Sequence, residues 1–319
     1  MSMKISVALT TYNGERFLRE QLDSLYTQTL LPDEVIVCDD CSTDNTLKIL
    51  EEYSIKYGLQ YYRNDSSLGV NANFFRAISL CHGDYICICD QDDVWMSHKI
   101  ATLVSAITSM EGNNIPIAVS SLRQDVDASC NPICPPQNFP FGEQWEDTLL
   151  NTEQSQGCTM IINRCLADLS VAYYREKKGS DEVMYDVLIS LLAAIFGKKR
   201  NLPDVLMYYR HHNANVVDKL KSSKKPFWKK VKDMPTYYPF LLDYRIKELV
   251  VMSKLVEYDT YSPDIREFLG KMQKLYKTKS IVCGLPIVLG LPQLTVGRKI
   301  KVLLLTPIAK LLKIIERYQ

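Results

Sequence analysis

The N-terminal part of the chain alternates between short apolar runs and segments with helical hydrophobic spacing. Apolar runs predict buried strands at residues 4–10, 34–38, 59–63 and 84–89. Helical spacing predicts three helices. The first covers residues 15–28, and the third covers residues 71–81. The second begins at an N-cap, which is Ser42, Thr43 or Asp44, and ends at Tyr53. Strands that alternate with helices predict an α/β fold, with a mostly parallel sheet and helices on both faces.

The pattern continues less regularly and then changes. Residues 117–121 and 157–163 predict two more strands, and residues 131–140 form a proline-rich loop. A helix is predicted at 181–196, with Gly197 as its C-cap. Beyond about residue 213, basic and amphipathic helical segments dominate. We therefore predict two domains, 1–212 and 213–319, of which the second is a helical C-terminal region.

Charge supports this division. The net charge of the chain is +1, but residues 1–212 carry 17 Lys and Arg against 28 Asp and Glu, whereas residues 213–319 carry 21 against 9. Two apolar stretches in the tail, 281–292 and 302–315, are shorter than the ~20 residues that span a bilayer. We expect the basic tail to lie on an anionic membrane surface. The alternative is a basic helical bundle that packs on the first domain.

Cysteine usage and the N-terminus indicate the compartment. Several of the 10 cysteines lie inside apolar runs, as Cys87 and Cys89 do, and they predict core residues of a reducing compartment. Cys38 and Cys41 form a C-x-x-C pair, but no second pair completes a zinc site. The N-terminus leads directly into a strand without a signal-peptide pattern. We expect a cytoplasmic protein, peripheral at the inner face of the cell membrane, with no nucleic-acid partner.

Polar clusters follow three of the predicted strands, at residues 10–14, 39–44 and 90–93. Ligands of parallel α/β sheets bind at the carboxyl ends of strands, so these clusters predict one shared site. Asp90, Asp92 and Asp93 repel one another unless a cation is present, and oxygen ligands favour Mg²⁺ or Mn²⁺. The alternative for these three is an acidic turn without a ligand.

The other two clusters offer groups for a nucleoside. Asp39 and Asp40 are suited to accepting hydrogen bonds from a base N–H or from ribose hydroxyls. Residues 11–14 provide an aromatic face, an amide and a glycine that permits close backbone approach. Asn71 and Asn73 could add donors, whereas capping and turn formation explain Asp44, Asn64 and Gly69 equally well.

Together, these motifs resemble the family 2 glycosyltransferases. The resemblance rests on residues 10–14, 37–46 and 83–95 and covers about residues 4–212. The run Asp90-Gln91-Asp92-Asp93-Val94-Trp95 is similar to the rhamnosyltransferase-like branch. Membership would imply the GT-A fold, which is Rossmann-like, and sugar transfer with inversion at the anomeric carbon.

The resemblance also implies roles. The metal on the donor diphosphate would be held by Asp92 with Asp90 or Asp93, and the general base would be Asp186. A tyrosine, Tyr185, stands where the family usually has histidine, and Asp181 and Glu182 are rival bases. Donor-side residues would be Thr11, Tyr12, Asn13, Asp39, Asp40, Asn73, Asp90, Asp92, Arg210 and His211. Acceptor-side residues would be Gly157, Cys158 and Trp95. Arg210 and His211 could instead belong to a basic connector between the domains.

The expected partners are a dTDP- or UDP-linked sugar donor and a glycan or polyprenyl-linked acceptor of a cell-surface polysaccharide. Three other functions compete. Asp90-Gln91-Asp92-Asp93-Val94 also fits the nucleophile motif of haloacid-dehalogenase-like phosphatases, although two polar strand ends precede it. A nucleotidyltransferase would need a glycine-rich basic loop that residues 11–15 lack. A non-catalytic sugar-nucleotide-binding protein would be expected to lack the base or the metal cluster.

Overall fold

A computed structural model describes residues 3–110, 115–136, 156–176 and 184–212. Its strands are β1 (Ile5–Thr11), β2 (Glu34–Asp39), β3 (Gln60–Arg63), β4 (Tyr85–Cys89), β5 (Val94–Trp95), β6 (Ile117–Val126), β7 (Met160–Asn163) and β8 (Lys198–Arg210). Its α-helices are α1 (Leu18–Tyr26), α2 (Thr46–Tyr57), α3 (Val70–Leu80), α4 (Lys99–Thr108), α5 (Arg164–Glu176) and α6 (Tyr185–Phe196). A 3₁₀ turn covers Gly157–Thr159.

The strands form one mixed sheet in the order β3-β2-β1-β4-β7-β6-β8-β5. The first four strands in this order are parallel to one another, and β6 is parallel to β8. β7 runs antiparallel to both β4 and β6, and β5 runs antiparallel to β8. The α/β class with a mostly parallel sheet is confirmed. The antiparallel strand between the two parallel groups was not predicted, because an apolar run does not reveal its direction.

The core explains why the middle parts of β1, β2 and β4 are mostly apolar. Ile5, Val7 and Leu9 of β1 pack in one cluster with leucines of α1. Ala8, which points to the opposite face, is equally buried, and α3 contacts β1 and β2. Burial of each Leu or Ile contributes about 1.5–3 kcal/mol. The sheet is therefore covered on both faces, and most polar side chains of these strands lie at the strand ends.

One local prediction was wrong in part, and one was confirmed. Residues 157–159 form a 3₁₀ turn, and the predicted strand begins only at Met160. Gly197 is the C-cap of α6, as predicted, with a φ of −156°. Glycine is needed at 197 because a Cβ there would overlap the carbonyl of Pro116.

Within the described residues, no helix combines the length and the apolar character needed to cross a bilayer. The predicted tail helices, the two apolar stretches of the tail and the rival bases Asp181 and Glu182 lie outside the described residues. The domain boundary near residue 213 stays a prediction.

Candidate active site

The loops that follow β1 and β2 are joined by hydrogen bonds around Asp39. Its fully buried carboxylate accepts from Thr11 Oγ1 at 2.8 Å and from the Ser42 amide at 2.9 Å. Ser42 Oγ in turn accepts from the Asn13 amide at 2.9 Å, and Asn13 has a φ of 48°, a left-handed conformation that asparagine tolerates. Thr11, Asn13 and Asp39 therefore lie together, as predicted, and Asp39 fixes the shape of both loops.

Asp40 organises the next loop along the sheet edge. Its carboxylate accepts four hydrogen bonds, from Asn64 Nδ2, Ser67 Oγ and the amides of Leu68 and Gly69, at 2.6–3.0 Å. Burial acts to raise the pKa of Asp40, but these hydrogen bonds together hold it below its usual value. Four bonds fill the acceptor capacity of a carboxylate. The structure thus gives Asp40 a scaffolding role in place of the expected contact with the nucleoside.

Asn73 is likewise engaged within the protein. Its Nδ2 donates to the Cys38 carbonyl and its Oδ1 accepts from Asn64 Nδ2, both at 2.9 Å. The side chain is buried, so both ends of the amide tie α3 to the β2 loop. The expectation that Asn73 contacts the donor does not fit this placement.

Gln91 links the β1 loop to the acidic cluster. Its Oε1 accepts from the Tyr12 amide at 2.9 Å, and its Nε2 donates to the Tyr12 carbonyl at 3.1 Å. A Cβ at Gly14 would overlap Oε1 of Gln91, which explains the glycine at this position. The Tyr12 ring is 57% exposed and is therefore available to a ligand.

Asp90 and Asp93 form the inner part of the acidic cluster. Asp93 is fully buried; its Oδ1 accepts from the Arg210 amide at 3.1 Å, and its Oδ2 has no hydrogen-bond partner among the residues that the structure describes. Burial, followed by the charges of Asp92 and Asp186, raises the pKa of Asp90 to about 7. One ligand atom from each of Asp90, Asp93 and Cys158 lies within 4.8 Å of the others. An unpartnered carboxylate oxygen in a crowded acidic site fits a hard divalent cation.

Asp92 points to a different neighbour. Its Oδ2 lies 2.8 Å from His212 Nε2, and the His212 ring packs on Phe17 with centroids 4.7 Å apart. Both side chains are partly exposed, at 18% and 10%, unlike the buried Asp93. Asp92 is therefore the aspartate of the pair Asp92 and Asp93 that remains open to a ligand. The sequence placed His212 in a basic cluster with Arg210 and His211, but His211 was the histidine predicted as a donor-side residue.

Arg210 and His211 do not lie where they were expected. Arg210 is 1% exposed, and its guanidinium donates to the Asp92 carbonyl at 2.9 Å, the Ala128 carbonyl at 2.6 Å and Glu20 Oε2 at 2.6 Å. These contacts make Arg210 an internal clamp, buried instead of exposed to a ligand. His211 turns away from the cluster, with Nε2 3.4 Å from Asp125 Oδ1. Adjacent residues at a strand end point to opposite sides, which separates the two histidines.

Asp186 lies in the first turn of α6. Its Oδ2 accepts from the Gly157 amide at 3.3 Å, and its charge contributes to raising the pKa of Asp90. A Cβ at Gly157 would overlap the Tyr185 hydroxyl, so glycine lets the turn approach the helix. Tyr185 itself is buried and stacks on Phe74 with centroids 3.8 Å apart. The base candidate, Gly157 and the acidic cluster thus share one site.

Trp95 and Cys158 are inner residues. Trp95 is 3% exposed and belongs to the hydrophobic core, so it cannot line an acceptor as expected. Cys158 is also buried, next to Asp90 and Asp93. Between them lies Lys99, which was not singled out from the sequence: its fully buried Nζ is 3.7 Å from the centroid of the Trp95 ring.

Residues 6–127 match the family described as Glycosyl transferase family 2. This segment is a glycosyl transferase family 2 domain. The rivals, a phosphatase and a nucleotidyltransferase, are set aside by this match. Asp186 and the end of β8 lie beyond the matched segment of the family 2 domain, so their roles rest on the geometry described above.

Curated relatives agree with the family. The dTDP-rhamnosyl transferase RfbG of Shigella flexneri is 36% identical over 111 residues, which cover 33% of this chain and 38% of RfbG. Uncharacterised proteins of Mycobacterium bovis and Mycobacterium tuberculosis are 25% identical over 237 residues, which cover 70% of this chain. The aligned part spans 63% of the length of those mycobacterial proteins.

Solved structures share the fold. The crystal structure of S. aureus TarS 1–349 in complex with UDP-GlcNAc superposes with a TM-score of 0.58 and 18% identity, covering 98% of this chain and 92% of that one. The mannosyltransferase PcManGT of Pyrobaculum calidifontis, in complex with GDP-Man and Mn²⁺, gives a TM-score of 0.50 and 15% identity, covering 99% and 88%. The expected GT-A fold is confirmed.

Proposed function

We propose that this chain is an inverting, metal-dependent glycosyltransferase that moves a sugar from a nucleotide-diphosphate sugar to a hydroxyl group. The observation that carries the proposal is the joint placement of Asp186 and the acidic cluster. The Gly157 amide binds Asp186, and Cys158, the next residue, lies within 4.8 Å of Asp90 and Asp93. The candidate base and the candidate cation site therefore lie together beyond the carboxyl end of β4, where ligands of such sheets bind.

Asp186 is the general base of the proposed reaction. The Gly157 amide holds one carboxylate oxygen and the Val187 amide, 2.7 Å from Oδ1, holds the other, so the orientation of the group is fixed. Asp186 takes the proton from the acceptor hydroxyl, whose oxygen forms the new bond to the anomeric carbon. The bond to the diphosphate breaks on the opposite side, and the nucleoside diphosphate leaves with the electron pair.

The residues at the ends of β1, β2 and β4 bind the donor. Tyr12 offers an exposed ring to the nucleobase of the donor, and Asp39 and Thr11 fix the loop that carries Tyr12. Asp92 is the principal metal ligand, with Asp90 and Asp93 in support. A bound Mn²⁺ or Mg²⁺ would neutralise the diphosphate as it leaves. His212 lies beside this metal site, because its Nε2 is 2.8 Å from Asp92 Oδ2.

The donor and acceptor classes are proposed from the relatives. RfbG is named as a dTDP-rhamnosyl transferase, and the TarS structure holds UDP-GlcNAc. A dTDP-linked deoxysugar is therefore the first donor to test, followed by UDP sugars. The proposed acceptor is a growing cell-surface glycan on a polyprenyl lipid at the cytoplasmic face of the membrane.

The test separates donor binding from chemistry. Purified protein with Mn²⁺ is screened against dTDP-rhamnose and UDP sugars by thermal shift, since a bound donor raises the melting temperature by mass action. Release of nucleoside diphosphate is then measured with the donor that binds. Asp186→Asn should keep the donor-induced shift and lower the release rate by about 10²–10⁴-fold. Weaker donor binding with normal release would refute the base assignment.

Two controls sharpen the result. Asp168→Asn removes an exposed carboxylate from α5 and should change neither quantity. Asp92→Asn should abolish the Mn²⁺-dependent part of the donor shift. An unchanged metal dependence would refute the role of Asp92.

The basic tail is proposed to hold the protein at the membrane. Flotation with anionic liposomes compares the full chain with a chain that ends near residue 213. Equal partitioning would refute this part of the proposal.

A further inference from the structure

Lys99 is a buried cation that the proposed reaction does not use. It is the first residue of α4 and is fully buried. Its Nζ donates to the Cys158 carbonyl at 2.6 Å and contacts Met207 Sδ at 3.3 Å. Within the described ranges, this ammonium forms no ion pair within 4.0 Å, and it lies 3.7 Å from the centroid of the Trp95 ring.

Burial of an ammonium without a direct ion pair is costly, so a compensating field is expected nearby. The acidic cluster lies next to this ammonium: Cys158, whose carbonyl accepts the Lys99 hydrogen bond, has its sulfur within 4.8 Å of a carboxylate oxygen of both Asp90 and Asp93. Burial lowers the pKa of Lys99, while neighbouring groups, Cys158 first and Asp93 among the others, act in the opposite direction. Lys99, the buried Asp93 and the half-buried Asp90 therefore form one group of charges.

Lys99 also reaches the base through the backbone. Cys158, whose carbonyl accepts the Lys99 hydrogen bond, follows Gly157, whose amide binds the Asp186 carboxylate. The ammonium thus holds the 3₁₀ turn that spaces Asp186 from Asp90.

We propose that Lys99 is a positioning residue of the site: its ammonium is the fixed counter-charge of Asp90 and Asp93 and anchors the Gly157–Thr159 turn beside them. It stabilises the acidic cluster before a cation binds and competes electrostatically with that cation afterwards. The inference takes the metal site of the proposed function as given, but its stability arm does not need it.

The first experiment measures Mn²⁺ affinity without any sugar donor. Lys99→Met and Lys99→Gln are compared with the parent by isothermal titration at about pH 8, above the pKa of about 7 of Asp90. Loss of the competing charge should tighten Mn²⁺ binding by at least about fivefold. Lys48→Met, which removes an exposed charge from α2, should leave the affinity unchanged. Unchanged or weaker Mn²⁺ binding in both Lys99 variants would overturn the proposal, because a purely structural role predicts weaker binding.

The second experiment uses metal-free protein and thermal melting. Lys99→Met should be less stable than the parent, and the double variant Lys99→Met/Asp93→Asn should recover part of the loss, because the uncompensated charge is gone. Additive destabilisation would refute the counter-charge role. If the parent binds no Mn²⁺, the metal proposal fails, and this stability comparison still decides the role of Lys99.

Discussion

Asparagine in place of Asp40 removes one carboxylate oxygen from the loop that ends β2. In the parent, Oδ1 accepts from Asn64 Nδ2 and the Leu68 amide, and Oδ2 accepts from Ser67 Oγ and the Gly69 amide. The new amide group must face one of the two backbone N–H groups. A buried N–H without an acceptor costs about 1–3 kcal/mol, and the remaining bonds lose about 1 kcal/mol of charge assistance. We expect a total loss of about 2–4 kcal/mol of unfolding free energy near neutral pH.

The pH dependence gives this prediction its sign. Because the folded protein lowers the pKa of Asp40, the stability from its charge is fully present above the unfolded pKa of about 3.9. It is lost as the pH falls through the lower folded pKa. The difference between the parent and Asp40→Asn should therefore be largest near neutral pH and shrink below about pH 4.

Urea unfolding, followed by tryptophan fluorescence, measures both quantities in steps from about pH 7 to pH 3.5. Asp65→Asn is the matched control, since Asp65 is an exposed aspartate of the loop between β3 and α3 to which Asp40 binds. A loss below about 0.5 kcal/mol near neutral pH, typical of surface substitutions, would refute the reasoning. A loss that stays constant as the pH falls would show that packing, and not charge, sets the stability of this loop.

Further substitutions test the frame of the site. Gly14→Ala should lower the melting temperature, because the new Cβ displaces Gln91. The double variant Gly14→Ala/Gln91→Ala should recover part of this loss. Equal melting temperatures of the single and the double variant would contradict the clash. Arg210→Met should cost about 3–5 kcal/mol in urea unfolding. Glu20→Gln, which changes only its exposed partner, should cost below about 1 kcal/mol, and similar losses would refute the clamp. Gly197→Ala should cost about 1–3 kcal/mol or more, and a neutral result would refute the close backbone approach.

The parallel half of the fold could be predicted because its strands are buried on both faces. β1, β2 and β4 are apolar runs that stop abruptly at polar residues, so both the elements and the shared site edge were readable. β8 could not be predicted in this way, because its apolar pattern is interrupted by Lys198, Lys199, Arg200 and Asp204. Its place is fixed by a long register with β6, interrupted by irregularities, which no local pattern shows.

The same limit applies to the site. Motifs brought Thr11, Asp39 and Asp92 to one edge correctly. The choice between His211 and His212 depends on which way β8 is turned, and that depends on its pairing with β6. The sequence did not show that Asn73 and Arg210 are buried. Both have the polar groups of ligand-binding residues, but in the folded protein these groups bind other parts of the chain.

The clamp formed by Arg210 has a consequence for the order of folding. Its amide reaches Asp93 across 117 residues of sequence, and its guanidinium reaches Glu20 across 190. Contacts of such separation form late, because the chain entropy of a long loop must be lost first. During synthesis, strands β1 to β4 can therefore assemble before residue 210 has left the ribosome. At that stage Arg210 does not yet enclose Asp92 and Asp93. The segment that carries the family motifs is completed only by a strand made long after it.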